Sequence, residues 1–216
     1  MEAGPNVAGI GTFPDGSVLG YDMRVGGSFL FTGPAGAGKS VALHTLVGGV
    51  LARGGHVLVG KPRIRRGDYE QYLGDSGFEL AQGVSALVAA LRALTDDTAA
   101  RPRTLVVIDD APILVDISKP DALAYDKKKL AALIRRVVKS PDVDVAIASQ
   151  RPDPKLLGQG WQEHMAPVQL GRLRQAASHL IFGEATDTAG VRLGEALAHH
   201  ADGTVQIADI WMREEP

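Results

Sequence analysis

The amino-acid sequence predicts an α/β domain built on a mainly parallel sheet flanked by helices, with a small N-terminal β-hairpin. Three observations carry this reading. Short apolar runs bounded by turn residues alternate from end to end with segments of helical spacing. A glycine-rich turn lies between one of these apolar runs and a helical segment. A Pro-Asp-Gly turn opens the chain between two strand-like segments. At 216 residues, 45% apolar and 22% charged, the chain has the size and composition of a single globular domain spanning 1–216.

The elements follow in order. The hairpin covers about residues 9–24, with Pro14-Asp15-Gly16 at its turn. Ser28–Thr32 (SFLFT) reads as a short buried strand, and Val41–Ala52 as a helix ending near Gly54-Gly55. Val57–Val59 reads as a second buried strand, and residues 60–76 as a loop that begins basic. Helical spacing returns over Val84–Leu94, and Leu105–Ile108 (LVVI) is a strand stopped by Asp109-Asp110. A helix is expected over 122–139, with Asp121 as its N-cap. Val143–Ala148 is a further strand, followed by Ser149-Gln150-Arg151-Pro152. Val168–Leu170 reads as a short strand, 172–181 as a helix, and Thr204–Trp211 as a strand of good alternation.

Composition excludes several chemistries. The chain has no cysteine, which removes thiol catalysis, disulfides and Cys-ligated metal, and suits a reducing, cytoplasmic location. The net charge of −2 argues against a globally basic nucleic-acid binder, while leaving local basic patches open. No apolar stretch approaches the ~20 residues of a membrane span, and the N-terminus lacks the basic and apolar regions of a signal peptide. The six histidines, His199-His200 among them, show no metal-ligand spacing, and Trp161 and Trp211 read as packing anchors.

The residues Gly33-Pro34-Ala35-Gly36-Ala37-Gly38-Lys39-Ser40 fit G-x-x-x-x-G-K-[ST] at every fixed position. Glycines let successive backbone N–H groups turn toward phosphate oxygens. The following helix, opening at Val41, adds its N-terminal partial positive charge. Lys39 suits the β/γ phosphates of ATP and the Ser40 hydroxyl suits Mg²⁺, so Gly33 through Val41 form the candidate nucleotide-binding set. A second strand ending in acid completes the requirement: Asp109 to hold Mg²⁺ and Asp110 to orient the attacking water. Gln150, at the end of the AIASQRP stretch, is the candidate γ-phosphate sensor.

Together, PDGSVLGYD, FLFTGPAGAGKS, LVVIDDA and IASQRPD, in this order, resemble the FtsK–HerA superfamily of DNA-pumping ATPases across roughly residues 9–211. The resemblance implies a RecA-like P-loop core that assembles as a ring, commonly a hexamer, and drives double-stranded DNA through it without reading sequence. It also implies a trans-acting cation on the helix before the Q-R-P strand. Arg136 is the preferred candidate, beside Arg135 and Lys139, because a guanidinium fork suits phosphate. Two basic clusters are candidate DNA-phosphate contacts: Lys127, Lys128, Lys129, Arg135, Arg136 and Lys139 on that helix, and Lys61, Arg63, Arg65 and Arg66 after the second strand. Arg172 and Arg174 are candidate interface residues.

Three departures from the family pattern stand out. Asp110 replaces the usual Glu and is one methylene shorter. Gly60-Lys61-Pro62-Arg63 replaces D-P-K, so an acid is missing. The chain reads as a bare motor core, with no membrane region or winged-helix DNA reader. Its size is similar to that of viral genome-packaging ATPases, which implies a docking partner at a capsid vertex or membrane and, for a viral DNA, association with the virion. Two other readings stay open: a non-hydrolysing nucleotide-binding switch or partner subunit, supported by Asp110, and a P-loop small-molecule kinase, disfavoured by the Q-R-P strand end.

Overall fold

Strands that bury side chains on both faces need cover on both, and the apolar patterning of this chain supplies it. The structure is a computed structural model that describes residues 4–61, 68–96, 102–109, 132–150, 163–172, 181–182, 186, 188 and 190–211. Its strands are β1 (Val7–Thr12), β2 (Val18–Asp22), β3 (Ser28–Thr32), β4 (His56–Lys61), β5 (Phe78–Gln82), β6 (Thr104–Ile108), β7 (Val143–Ser149), β8 (Met165–Leu170), β9 (Glu195–His199) and β10 (Val205–Ile210). Helix α1 (Lys39–Leu51) follows β3 and α2 (Val84–Asp96) follows β5. One sheet holds these strands in the order β2-β1-β10-β9-β8-β3-β7-β6-β4-β5. The run from β8 to β5 is parallel, and the rest is antiparallel.

Successive residues on the central strands divide between two cores, as a period of two requires. Phe29 and Phe31, Val57 and Val59, Leu105 and Val107, and Ala146 and Ala148 face one side, where α1 packs through Ala42, Leu43, Leu46, Val47 and Val50. Leu30, Leu58, Val106, Ile108, Val145 and Ile147 face the other, covered by Leu87, Val88 and Leu91 of α2 and by Ile134 and Val137. The last two lie in a helical stretch over 132–137, the described part of the helix expected over 122–139. Truncating one of these fully buried leucines to alanine carries a cost of about 2–5 kcal/mol.

The hairpin is the expected one, with β1 and β2 joined around Pro14-Asp15-Gly16. It joins the main sheet through β10 and is tied to the parallel core by a buried polar cluster. The Asp144 carboxylate at the start of β7 accepts from Tyr21 Oη at 2.7 Å, the Gly27 N–H at 2.8 Å and the Arg103 guanidinium at 2.8 Å. Burial and the neighbouring carboxylate push the Tyr21 phenol well above its usual range. Trp211 closes the other side of the hairpin, donating from Nε1 to Thr12 Oγ1 at 2.7 Å.

Two strands escape the sequence reading. The segment FELAQ forms β5, an edge strand paired with β4. The segment EALAH forms β9, although Glu, Ala and Leu favour helix; pairing on both sides, with β8 and β10, overrides that preference. The helix expected over 172–181 falls largely outside the described residues, as do Arg174 and Trp161.

His200 joins the two turns at the antiparallel end. Its Nε2 lies 3.1 Å from Asp15 and its Nδ1 3.1 Å from Asp202, while its ring meets Phe13 edge-on at 5.0 Å. The bond to Asp202, reinforced by the charge of Asp15, raises the imidazole above its ordinary value of 6.5. Because the folded value exceeds the unfolded one, this stabilisation is fully present below pH 6.5 and is lost as the pH rises through the elevated folded value. The thermal midpoint of the native chain therefore falls over that interval, and His200→Gln removes this component of the pH dependence, as thermal melts across pH 5.5–8.5 (about that range) will show.

Candidate functional site

Parallel strands deliver their carboxyl ends to one edge of the sheet, where α/β proteins bind ligands. Here β3, β7, β6 and β4 are adjacent, and Thr32, Gln150, Asp109 and Lys61 lie at or just beyond their ends. The phosphate-loop motif leaves β3 at Gly33 and enters α1 at Lys39. Gly33 has φ +147° and Gly38 φ +94°, conformations that side chains resist. A Cβ on Gly33 would also collide with the Leu170 carbonyl of β8. Lys39 reaches back over the loop, donating from Nζ to the Gly33 carbonyl at 2.8 Å and the Pro34 carbonyl at 2.7 Å. Its ammonium thus sits over the turn that the glycines shape.

Ser40 Oγ donates to Asp109 Oδ1 at 3.3 Å, which joins the phosphate loop to the acidic strand end. Asp109 is buried, 7% exposed. A hydroxyl and a carboxylate converging beside a phosphate loop suit Mg²⁺, which binds through one or two protein groups together with phosphate oxygens and water. Asp110 lies outside the described residues, so the fit rests on Ser40 and Asp109.

A cation that the motifs do not announce also reaches this carboxylate. Lys61, the last residue of β4, is only 5% exposed. Its Nζ lies 3.7 Å from Asp109 Oδ2 and makes a short ion pair with Asp68. The expectation that Lys61 contacts DNA phosphate is therefore corrected: burial and two carboxylates turn its ammonium inward. Arg63, Arg65 and Arg66 fall outside the described residues. Tyr69, beside Asp68, stacks its ring on His44 of α1 at 3.9 Å and lies 5.4 Å from Lys61 Nζ. It has φ +66°, rare for a residue with a side chain. Burial first, and the Asp109 charge second, hold its phenol well above the usual range. The signal for Lys61 is a lysine closing a buried V-L-V-G run whose strand adjoins the acidic one.

Gln150 follows β7, between the phosphate-loop strand and the acidic strand, and is exposed at the expected edge. Arg136 is exposed on the helical stretch 132–137 and lies 3.4 Å from Asp96, at the C-terminal end of α2. That stretch leads toward the start of β7, so Arg136 does not join this chain's own phosphate loop. Lys139 is exposed nearby, while Lys127, Lys128 and Lys129 are outside the described residues. Arg172 follows β8 and is exposed.

The strained backbone of the loop gives a direct test. Gly33→Ala adds a Cβ against the Leu170 carbonyl at a φ that costs an ordinary residue about 1–3 kcal/mol. Equilibrium titration with ATPγS will show binding weakened by about tenfold or more, with circular dichroism unchanged.

No protein-family model matches the chain, and no curated protein matches it in sequence. Solved structures do match. The pCW3 conjugation coupling protein TcpA, in a monomer form with ATPγS, aligns with a TM-score of 0.78 at 16% identity, over 99% of this chain and 68% of TcpA. The cytoplasmic domain of the Thermomonospora curvata Type VII secretion ATPase EccC aligns with a TM-score of 0.71 at 17% identity, over 100% of this chain but only 30% of EccC. The genome packaging NTPase B204 from Sulfolobus turreted icosahedral virus 2, in complex with ATPγS, aligns with a TM-score of 0.56 at 13% identity, over 85% of this chain and 97% of B204. Among the described residues, no helix is long and apolar enough to cross a membrane. The chain shares its fold with TcpA, EccC and B204.

Proposed function

We propose that this chain is an ATP-driven motor domain that translocates double-stranded DNA as a ring oligomer, of the kind used in genome packaging or in plasmid or chromosome transfer. The observation that carries the reading is the contact between Ser40 and Asp109, made beside a strained glycine loop with Gln150 on the intervening strand. The ATPγS complexes of TcpA and B204 support nucleotide binding by this fold. The roles of these two proteins, conjugation coupling and genome packaging, support DNA as the cargo.

The chemistry follows from the side chains. Backbone N–H groups of residues 33–40 cradle the phosphates, and Lys39 exchanges its two carbonyl partners for phosphate oxygens. Ser40 and Asp109 hold Mg²⁺. Held there, Mg²⁺ would supply positive charge to offset that of the phosphates. Asp110 orients the attacking water, and Gln150 senses the γ-phosphate. Arg136 acts on a neighbouring subunit's nucleotide, releasing Asp96 to do so. An in-trans arginine raises phosphoryl-transfer rates by about 10³–10⁵ in well-studied systems. A hexamer with duplex DNA in its bore, docked on a capsid vertex or membrane partner and working in the cytoplasm or a virion, is the assembly this mechanism suits.

Steady-state ATP hydrolysis at low salt, with and without long duplex DNA, tests the reading. Several-fold stimulation by DNA that disappears in Lys39→Ala is the expected result, and Arg136→Ala should lower the stimulated rate at least about 100-fold if the trans role holds. ATPγS binding with a DNA-independent rate at the level of Lys39→Ala would instead favour the non-hydrolysing switch, the reading that the short Asp110 side chain supports.

A further inference from the structure

A buried carboxylate calls for a cationic partner, and the structure supplies one to Asp109 from within the chain. Lys61 Nζ is 3.7 Å from Asp109 Oδ2, and both side chains are nearly closed to solvent, at 7% and 9% exposure. The same ammonium is paired with Asp68, whose side chain is 42% exposed and can be solvated when unpaired. One cation is therefore shared between a carboxylate that faces the phosphate loop and one that does not.

Tyr69 sets the second position. Its ring is buried and stacked on His44 of α1, its backbone is left-handed, and the adjacent Asp68 pairs with Lys61. A residue kept in that conformation is strained, and strain of this kind persists where the surrounding structure enforces it. The ring also offers its face to Lys61 Nζ at 5.4 Å. An ammonium leaving Asp109 thus remains held by Asp68 and by the aromatic face.

We propose that Lys61 is an internal counter-ion switch. It neutralises Asp109 across 3.7 Å when no metal is bound, competes with Mg²⁺ for that carboxylate, and is left to Asp68 alone when Mg²⁺ and nucleotide arrive. This rests on the reading of Ser40 and Asp109 as the metal-binding pair. Two positive groups on one carboxylate repel strongly in a poorly solvated site, so the metal and the ammonium exclude each other. Lys61 is a positioning residue here: it sets how much Mg²⁺ the site needs and touches neither the nucleotide nor the reacting water.

The test reads metal dependence rather than turnover. ATPγS binding is titrated with Mg²⁺ in the native chain, in Lys61→Met and in Asp68→Asn. Lys61→Met removes the competitor, and the half-saturating Mg²⁺ concentration falls about fivefold or more. Asp68→Asn removes the retreat position, leaving Lys61 on Asp109, and the half-saturating concentration rises by a similar factor. Asp68 is partly exposed, so its variant keeps the test alive should Lys61→Met fail to fold. An unchanged or increased Mg²⁺ requirement in Lys61→Met, or an unchanged or decreased one in Asp68→Asn, overturns the switch. Failure of the native chain to bind ATPγS at any Mg²⁺ concentration overturns the nucleotide reading and the switch with it. Binding with an unmoved Mg²⁺ requirement overturns the switch alone.

Discussion

The parallel pairing of β3, β7, β6 and β4 is the constraint on which the site depends. In this register Thr32 is level with Ser149, and Ile108 with both Ile147 and Gly60. The residues that follow are therefore delivered to a common edge. The phosphate loop, Asp109 and Lys61 meet for that reason, with Gln150 at the same edge, although they are far apart in the chain. A shift by one residue would turn each buried strand inside out, and the split of alternate side chains between two apolar cores prevents it. The same hydrophobic patterning that holds the sheet together thus fixes the chemistry at its edge.

On the other side of β3, the remaining strands of the sheet have a different role. β8 touches the phosphate loop directly, because its Leu170 carbonyl occupies the space that a Gly33 side chain would need. β9, β10 and the hairpin extend the sheet beyond β8. The Asp144 cluster ties the hairpin to the opposite end of the parallel core, well away from the nucleotide edge. Removing one partner of such a buried pair costs about 3–5 kcal/mol, whereas the assembled cluster adds little net stability. Its main effect is to fix where the hairpin sits. Two anchoring points, one at each end of the strands, leave the loop and the acidic strand end on a rigid support.

How far the sequence reveals this depends on the range of each interaction. The phosphate loop is readable because its eight residues act locally: glycine conformation, the strand before and the helix after are all within one short segment. β3 and β6 are readable from their apolar runs, and β7 from an apolar run interrupted only by Asp144. β9 is not, because Glu-Ala-Leu-Ala carries no strand preference, and only its neighbours on both sides make it a strand. Lys61 is misread for the same kind of reason. A basic residue after a strand resembles a solvated surface charge, and its inward turn depends on β4 lying beside β6, which strand order alone determines. Tyr69 escapes because neither its stacking on His44 nor its backbone conformation leaves a mark in composition.

The claim at the centre is that Ser40 and Asp109 form one metal-binding pair at the junction of the phosphate loop and the acidic strand. Isothermal titration of ATPγS into the native chain and Ser40→Ala, each with Mg²⁺ and with chelator, tests it most directly. The account predicts that Mg²⁺ strengthens binding in the native chain, that most of this gain disappears in Ser40→Ala, and that the metal-free affinities of the two are similar. An equal gain from Mg²⁺ in both proteins would contradict it.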